Sequence, residues 1–247
     1  MNPLGNVSGL IAVLDQALFH LINEQWTSPA LDLFMAALSD PQVWMPLIVL
    51  IVLYALIRGR FKARAFLLCM GLALLISDTV VVRGLKASVG RLRPKQAQAV
   101  RLVHLEKASP KVLALFKKPR IHYSVVRRHE GRGASFPSAH VANNFVIATF
   151  CALFFRRWGW LYFIWAALIS YSRSYLGAHW PSDVVATAFL AVGEALLMFA
   201  AMEMLWKWAA PRWSPALFAR HPRLIGDGKE LSTLPGRDAQ VGGLPHK

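Results

Sequence analysis

The chain has few charged residues, and acidic residues are the scarcest among them. Of its 247 residues 17% are charged, with 13 Asp and Glu against 28 Lys and Arg, while 55% are hydrophobic. Soluble domains usually contain about 25% charged residues, so this composition argues against a soluble enzyme. The low charge and the 11% of aromatic residues also exclude an intrinsically disordered chain.

Cysteine is scarce, and no basic residue precedes Arg58. Cys69 and Cys151 both lie inside apolar runs, so no disulfide framework is indicated. Without early basic residues the N-terminus lacks the charged start of a secretory signal peptide. Residues 8–23 instead carry polar side chains on one stripe and apolar side chains on the other. This pattern predicts an amphipathic helix that lies in the membrane interface.

Five apolar stretches follow, and a membrane-spanning helix needs roughly 17–25 such residues. They cover about 41–57, 65–82, 138–155, 158–171 and 184–206. We therefore expect an all-α fold, a polytopic membrane helical bundle with about five transmembrane helices plus the N-terminal interfacial amphipathic helix.

The basic residues predict an orientation. Short loops rich in Lys and Arg stay in the cytoplasm, which places 58–64, 156–157 and the C-terminal tail inside. Residues 84–137 and the segment around His179 then both face outward. Residues 84–137 hold 13 Lys and Arg against two acids. This loop is either attracted to anionic headgroups or collects phosphate at the mouth of an active site. Its few aromatic residues argue against a nucleic-acid partner.

Three polar clusters lie where the outward-facing loops meet the spans. The clusters are 86–94, 136–140 and 172–183. The topology rests on other residues, yet it places all three clusters on one side of the membrane. The sequence therefore predicts that they form one site.

The residues of these clusters suit phosphate chemistry. Pro137 and Ser138 favour the start of a helix, where the free amides of Ala139 and His140 would attract an anion. Three cationic side chains can bind phosphate oxygens, namely Lys86, Arg93 and Arg173.

A nucleophile and an acid are also present. His179 and Asp183 are four residues apart, and a carboxylate at that spacing can hold the imidazole in one tautomer and prepare its other nitrogen for attack. His140 can protonate the leaving oxygen. This chemistry needs no metal and no other cofactor, and the acidic residues are too scattered for a two-metal centre.

The clusters resemble the three-part signature of the type 2 phosphatidic acid phosphatase superfamily. That signature reads Lys, six residues, Arg-Pro; then Pro-Ser-Gly-His; then Ser-Arg, five residues, His, three residues, Asp. The resemblance extends from about 43 to 206 and implies a helical membrane core with a phosphohistidine on His179, leaving-group protonation by His140, and orientation of His179 by Asp183. The positions that match the family's phosphate-binding residues are Lys86, Arg93, Ser138 and Arg173.

Two features depart from the family pattern. Ala139 stands where the family usually has Gly, which keeps the backbone amide but adds a methyl group at the phosphate edge. The first span of six-span members is missing, with the interfacial helix in its place. We therefore expect N-terminal interfacial helices over 1–40, a membrane phosphatase core over 41–206 with the basic loop 84–137, and a poorly ordered cytoplasmic tail over 207–247.

The resemblance implies a metal-independent lipid phosphatase of a bacterial inner membrane, with its site on the outer, periplasmic face. Undecaprenyl diphosphate is the favoured substrate, because an outward site suits the recycling of a lipid carrier. A lipid A 1-phosphatase and a phosphatidic acid or phosphatidylglycerophosphate phosphatase remain open. A lipid-to-lipid phosphotransferase and a non-enzymatic lipid-binding or transport protein are further alternatives, and the oligomeric state stays open.

Overall fold

Helices dominate the fold. The computed structural model describes residues 3–126 and 134–226. The helices are α1 (Pro3–His20), α2 (Pro29–Ser39), α3 (Pro41–Arg58), α4 (Phe61–Ile76), α5 (Arg83–Val89), α6 (Pro94–Ala97), α7 (Ala139–Phe154), α8 (Tyr162–Tyr175), α9 (Pro181–Trp213) and α10 (Pro215–Arg220). Wider π-type turns follow α1 over Leu21–Gln25 and join α4 to α5 over Ser77–Val82, and 3₁₀ turns cover Lys111–Phe116 and Gly159–Leu161.

Local sequence explains where the helices near the site begin. The Ser28 hydroxyl accepts a hydrogen bond from the Leu31 amide at 3.2 Å, and Pro29 occupies the first turn of α2. The Asp40 carboxylate accepts one from the Gln42 amide at 3.0 Å, and Pro41 opens α3 in the same way. Such a capping residue followed by proline satisfies the free amides of a helix start and fixes its first φ angle.

Each of the five predicted spans falls on a helix, but the helices differ in length. Within the described residues, three helical stretches are long and apolar enough to cross a membrane, namely Pro41–Arg58, Phe61–Ala97 and Pro181–Trp213. The predicted spans 138–155 and 158–171 correspond to α7, with 16 residues, and to α8, with 14 residues. Arg156 and Arg157 lie in the turn between them. The chain is an integral membrane protein in which two of the expected spans are short.

The basic loop contains a small sheet that the sequence did not indicate. Strands β1 (Arg101–His104) and β2 (Arg120–Tyr123) pair antiparallel, with Arg101 opposite Tyr123 and His104 opposite Arg120. β1 alternates buried and more exposed side chains, while all four residues of β2 are exposed. Val103 packs in a buried cluster with Ala36 and Ala37 of α2, so the first strand fixes the loop against the helices.

A buried polar network fastens the N-terminal region to this strand and to α8. The Asn23 side chain donates to the carbonyls of Arg101, at 2.9 Å, and Tyr175, at 2.7 Å. Asp32 accepts from the Arg101 guanidinium at 2.6 Å and from the Tyr175 hydroxyl at 2.7 Å. All four side chains are buried, and the hydrogen bonds among them satisfy most of their polar groups, although Nη1 of Arg101 has no partner among the described residues.

The N-terminal helix differs from the predicted interfacial helix in one respect. Its apolar side chains Leu10, Ile11, Leu14 and Leu18 are indeed exposed, but Asp15 on the predicted polar stripe is only 3% exposed. The reason is tertiary, because Asp15 is paired inside the protein with Arg91. The polar stripe therefore faces protein at Asp15 instead of water.

By its contacts the chain divides into one unit over 1–199 and a second over 200–247. In the second unit Glu203 and Lys207 form an i,i+4 ion pair at 3.5 Å, and the Trp206 indole donates to the His221 carbonyl at 3.0 Å. Helical structure reaches Trp213 and resumes over Pro215–Arg220, so the tail expected to be poorly ordered from 207 is helical up to there. Residues 227–247 lie outside the described part.

Candidate active site

A cationic cavity lies where the first and third sequence clusters meet, and Ala178 on its wall directly precedes His179. It has a volume of about 280 Å³ and is lined by Arg93, Arg173 and Ala178, together with Ser39 and Asp40 from the junction of α2 and α3. Arg93 comes from the first cluster, while Arg173 and Ala178 come from the third. The structure thus brings together residues that are 80 positions apart in the chain.

His179 occupies the turn between α8 and α9 and is only 3% exposed. Its Nδ1 lies 2.6 Å from the carbonyl oxygen of Ser135. Because a carbonyl only accepts, this contact requires the proton to be on Nδ1, which leaves a lone pair on Nε2. The contact therefore selects the tautomer in which Nε2 carries the free lone pair.

The surroundings keep this imidazole uncharged. Burial, and then the positive charges of Arg173 and Arg93, lower the pKa of His179 from 6.5 to about 3, against the opposing effect of the Ser135 carbonyl. Burial penalises the charged form and nearby cations repel it. His179 is accordingly neutral at physiological pH, the state in which an imidazole can act as a nucleophile.

Asp183 does not hold His179 in the way that we expected. Its Oδ2 accepts a hydrogen bond from the Ser135 hydroxyl at 2.5 Å, and its Oδ1 pairs with the Arg91 guanidinium at 2.6 Å. The Nδ1 position on His179, where we expected the carboxylate, is occupied by the Ser135 backbone. Asp183 is thus joined to His179 through Ser135, and the predicted direct orientation is corrected to an indirect one.

The second cluster begins a helix as predicted. Ser138 is the residue before α7, its backbone amide donates to the Thr187 hydroxyl at 3.1 Å, and its side chain is buried. The Ser138 hydroxyl has no hydrogen-bond partner among the described residues. Ala139 and His140 form the first turn of α7 and are partly buried. A buried hydroxyl without a partner is costly unless something binds it, so this one is available to a ligand.

Three cations near the histidines lack a carboxylate partner among the residues that the structure describes. No ion pair among the described residues involves Lys86, Arg93 or Arg173. All three act electrostatically on both His140 and His179. Arg173 donates from Nη1 to the Ser39 hydroxyl, and its buried Nε has no partner in the described part of the chain. The predicted phosphate-binding cations thus lie near the predicted histidines, and their positive charge is not neutralised by a carboxylate of the described residues.

Several residues around the site were not singled out from the sequence. Arg91 and Ser135 lie within or beside the predicted clusters and link Asp183 to the rest of the site. Asp15 lies far away in the sequence and was assigned to the membrane interface. One signal in the sequence could have identified Asp15. It is an acidic residue on a largely apolar helix, and a carboxylate that is buried needs a charged or hydrogen-bonding partner. Ser39 and Thr187 carried no signal.

Comparison with known proteins agrees with the motifs. Residues 62–207 match the PAP2 superfamily. A protein of Bacteroides thetaiotaomicron named lipid A 4'-phosphatase is 31% identical over 166 residues, which is 66% of each chain. A lipid A 4'-phosphatase of Porphyromonas gingivalis is 26% identical over 83% of this chain and 80% of its own. The bacitracin transport permease protein BcrC of Bacillus licheniformis is 39% identical over 80 residues, or 32% of this chain and 36% of that protein.

The chain thus spans 66% and 36% of the lengths of the Bacteroides and Bacillus relatives. The superfamily match covers more than half of this chain and includes all three motif clusters, α4, α7 and α8. On the strength of this match, the chain belongs to the PAP2 superfamily.

Proposed function

We propose that this chain is a membrane lipid phosphatase that works through a phosphohistidine on His179. One observation supports the proposal above the others. A buried, neutral imidazole with Nδ1 engaged lies within electrostatic reach of three cations that have no carboxylate partner in the described part of the chain. That arrangement suits attack on a phosphate whose negative charge the cations neutralise.

In the first step the Nε2 lone pair of His179 attacks phosphorus, and the bond from phosphorus to the lipid oxygen breaks. His140 enters the step as an imidazolium and donates one proton to that oxygen, so the lipid leaves as a neutral alcohol or, from a diphosphate, as the monophosphate. Arg93, Arg173 and Lys86 bind the phosphate oxygens on which charge concentrates. The free hydroxyl of Ser138 adds a hydrogen bond to the same group.

In the second step water attacks the phosphorus of the phosphohistidine. The bond from phosphorus to Nε2 breaks, inorganic phosphate leaves, and His140 takes up a proton from the water. Both histidines return to their starting states. This chain's own side chains supply each of these roles.

A lipid substrate is favoured by an apolar groove that begins beside the cationic cavity. Asp40 and Pro41 line the cavity, and the groove starts one turn further along α3 at Trp44. It encloses about 640 Å³ and continues along one face of α3 past Leu47, Ile48 and Ile51, opposite Cys151, Tyr162 and Trp165. A phosphate in the cavity would place an attached hydrocarbon chain in this groove.

Among lipid phosphates we favour a phosphorylated lipid A. The two relatives that this chain matches over the largest shares of their length are both named lipid A 4'-phosphatase. Undecaprenyl diphosphate is the second candidate, because the positive-inside rule places the site on the outer face, where a lipid carrier would be recycled.

The test is phosphate release by the purified full chain in detergent. The panel contains lipid A, undecaprenyl diphosphate, phosphatidic acid and phosphatidylglycerophosphate, each with EDTA present. We expect turnover of lipid A and loss of at least about a thousandfold in kcat for His179→Ala, as for removal of other catalytic nucleophiles. His122→Ala, which replaces an exposed histidine of β2, is the matched control and should retain activity.

Other results would overturn parts of the proposal. Full activity in His179→Ala would exclude the phosphohistidine. Turnover of undecaprenyl diphosphate alone would replace the favoured substrate. If folded protein released no phosphate but passed label to an added acceptor lipid, the chain would be a phosphotransferase. Silence in both assays would leave only a binding or transport role.

A further inference from the structure

The N-terminal helix α1 carries a buried carboxylate, although apolar side chains of the same helix are exposed. Asp15 is 3% exposed, whereas Leu14 and Leu18 on the same helix are 52% and 46% exposed. A buried carboxylate is costly unless it is paired and fully hydrogen-bonded. Asp15 therefore has to have a partner inside the protein, and this partner lies in the first motif cluster.

The ion pair and the hydrogen bonds of Asp15 lead toward the site. Its Oδ2 pairs with Nη2 of Arg91 at 2.5 Å and accepts from the Ser182 hydroxyl at 2.5 Å. Its Oδ1 accepts from the Ser182 backbone amide at 2.8 Å. Ser182 directly precedes Asp183 in the first turn of α9. The carboxylate thus holds the start of α9 from outside the family-matched region.

Arg91 joins two carboxylates that are 168 residues apart. While Nη2 pairs with Asp15, Nη1 pairs with Asp183 at 2.6 Å and donates to the Ser182 hydroxyl at 2.8 Å. Its guanidinium carbon also lies 5.8 Å from the centre of the Trp180 ring. A planar guanidinium can make these contacts at once, whereas the compact ammonium of lysine has no such fork.

The contacts continue from Arg91 and Asp183 to the nucleophile. The Arg91 carbonyl accepts from the Ser135 amide at 2.9 Å, and Asp183 accepts from the Ser135 hydroxyl at 2.5 Å. Ser135 is therefore held at its backbone and at its side chain by two neighbours. Its own carbonyl is the group that fixes Nδ1 of His179.

We infer that Asp15 and Arg91 are positioning residues for His179, acting through Asp183 and Ser135. We refer to Asp15, Arg91, Asp183 and Ser135 as the positioning network. The inference rests on the proposed nucleophile and adds to it that α1, outside the signature, belongs to the catalytic scaffold. Arg91 also differs from Arg93 two residues later, because its charge is used by carboxylates while that of Arg93 remains for phosphate.

The variant that tests the inference is Asp15→Asn, which keeps the size of the side chain and removes its charge. We expect kcat to fall between about 10- and 100-fold, since a small displacement of a reacting group has an effect of that order. KM should stay within about twofold, because Asp15 does not line the cationic cavity. Arg91→Lys should also lower kcat relative to the wild type, because lysine cannot pair with both carboxylates. Ser182→Ala is a milder variant that should lower kcat in the same direction if Asp15→Asn does not fold.

Asp32→Asn is the matched control. Asp32 is also a buried carboxylate, 2% exposed, and pairs with an arginine, Arg101, at 2.6 Å. Its contacts do not reach Ser135. Asp32→Asn should lose about as much thermal stability as Asp15→Asn and should retain the kcat of the wild type.

Two further measurements separate positioning from general destabilisation. Asp15→Asn combined with Ser135→Ala should lower kcat by less than the product of the two single effects, because both changes disturb one network. When Asp32→Asn is combined with Ser135→Ala, the fold-losses in kcat should multiply. Hydrogen exchange at the Ser135 amide, which needs no substrate, should be faster in Asp15→Asn and unchanged in Asp32→Asn.

His179→Ala is measured in parallel. If it retains activity, the proposed function is overturned. The hydrogen-exchange result still shows whether Asp15 holds Ser135 in place. If it is inactive but Asp15→Asn matches Asp32→Asn in kcat and in exchange, only the positioning role is overturned.

Discussion

At the residue scale, the site depends on neighbours that set the protonation and direction of one imidazole. His179 follows Gly177, which has a φ of +75° and whose added Cβ would lie 2.9 Å from the Arg101 carbonyl oxygen. Only glycine adopts that φ readily, so it allows the turn to pass close under β1. The same turn then delivers His179 to the Ser135 carbonyl in its neutral form.

The lowered pKa of His179 predicts a pH dependence of stability. Between pH 6.5 and about 3 the imidazole is protonated in the unfolded chain but neutral in the folded one. The unfolded state therefore binds more protons in this range, and the free energy of unfolding falls as the pH falls. Thermal unfolding in detergent should show a smaller loss on acidification for His179→Gln than for the wild type. An equal loss in both proteins would contradict the lowered pKa.

At the scale of elements, each part of the site is held by a different piece of secondary structure. The start of α7 presents Ser138, the end of α8 presents Arg173, and the start of α9 presents Asp183. The long stretch ending in α6 contributes Arg93, and α3 supplies the wall of the apolar groove. Because none of the proposed catalytic residues lies on α3, changes there should affect only the binding of the lipid chain.

Filling the groove should therefore discriminate between substrates by chain length. Ile51→Trp adds bulk to the groove wall, and we expect KM for a long-chain lipid phosphate to rise about tenfold, the order of one misfitted group in an apolar pocket. A short-chain analogue should keep its KM. Leu53→Trp changes an exposed residue of α3 outside the groove lining and serves as the control. Equal effects on both substrates would show that the chain does not lie in the groove.

At the scale of the whole molecule, net charge and hydropathy govern how the chain meets the membrane. Its formal charge of +15 is concentrated in loops, because the spans are nearly free of charge. The asymmetry of basic residues between short loops sets the orientation of a membrane protein. The long basic loop 84–137 contributes cations to the site, so the site lies on the same face of the membrane as this loop.

The orientation is open to a direct test by labelling with a membrane-impermeant maleimide. In a background with Cys69→Ala and Cys151→Ala, we expect Lys118→Cys in the basic loop to be labelled on intact cells. Arg60→Cys, in the short basic loop after α3, should be labelled only after the membrane is permeabilised. Both positions are exposed. The opposite pattern would invert the proposed orientation and place the site in the cytoplasm.

The sequence by itself determined the class of fold, the family and the candidate residues. Apolar runs set the helices, since a chain in lipid has to satisfy its backbone internally. The spacings around Lys86, His140 and His179 are local and can be read along the chain. Short-range patterns of this kind also placed Ser138 at the start of a helix, which the structure confirms.

Only the tertiary structure decided how those residues are held. Asp15 and Arg91 are 76 positions apart, Arg91 and Asp183 are 92 apart, and Ser135 and His179 are 44 apart. No periodicity links residues at such distances, and a buried carboxylate looks the same in sequence as an exposed one. Packing removes water from these groups and forces each to find a partner, and that physical requirement placed a serine carbonyl where the sequence alone suggested a carboxylate.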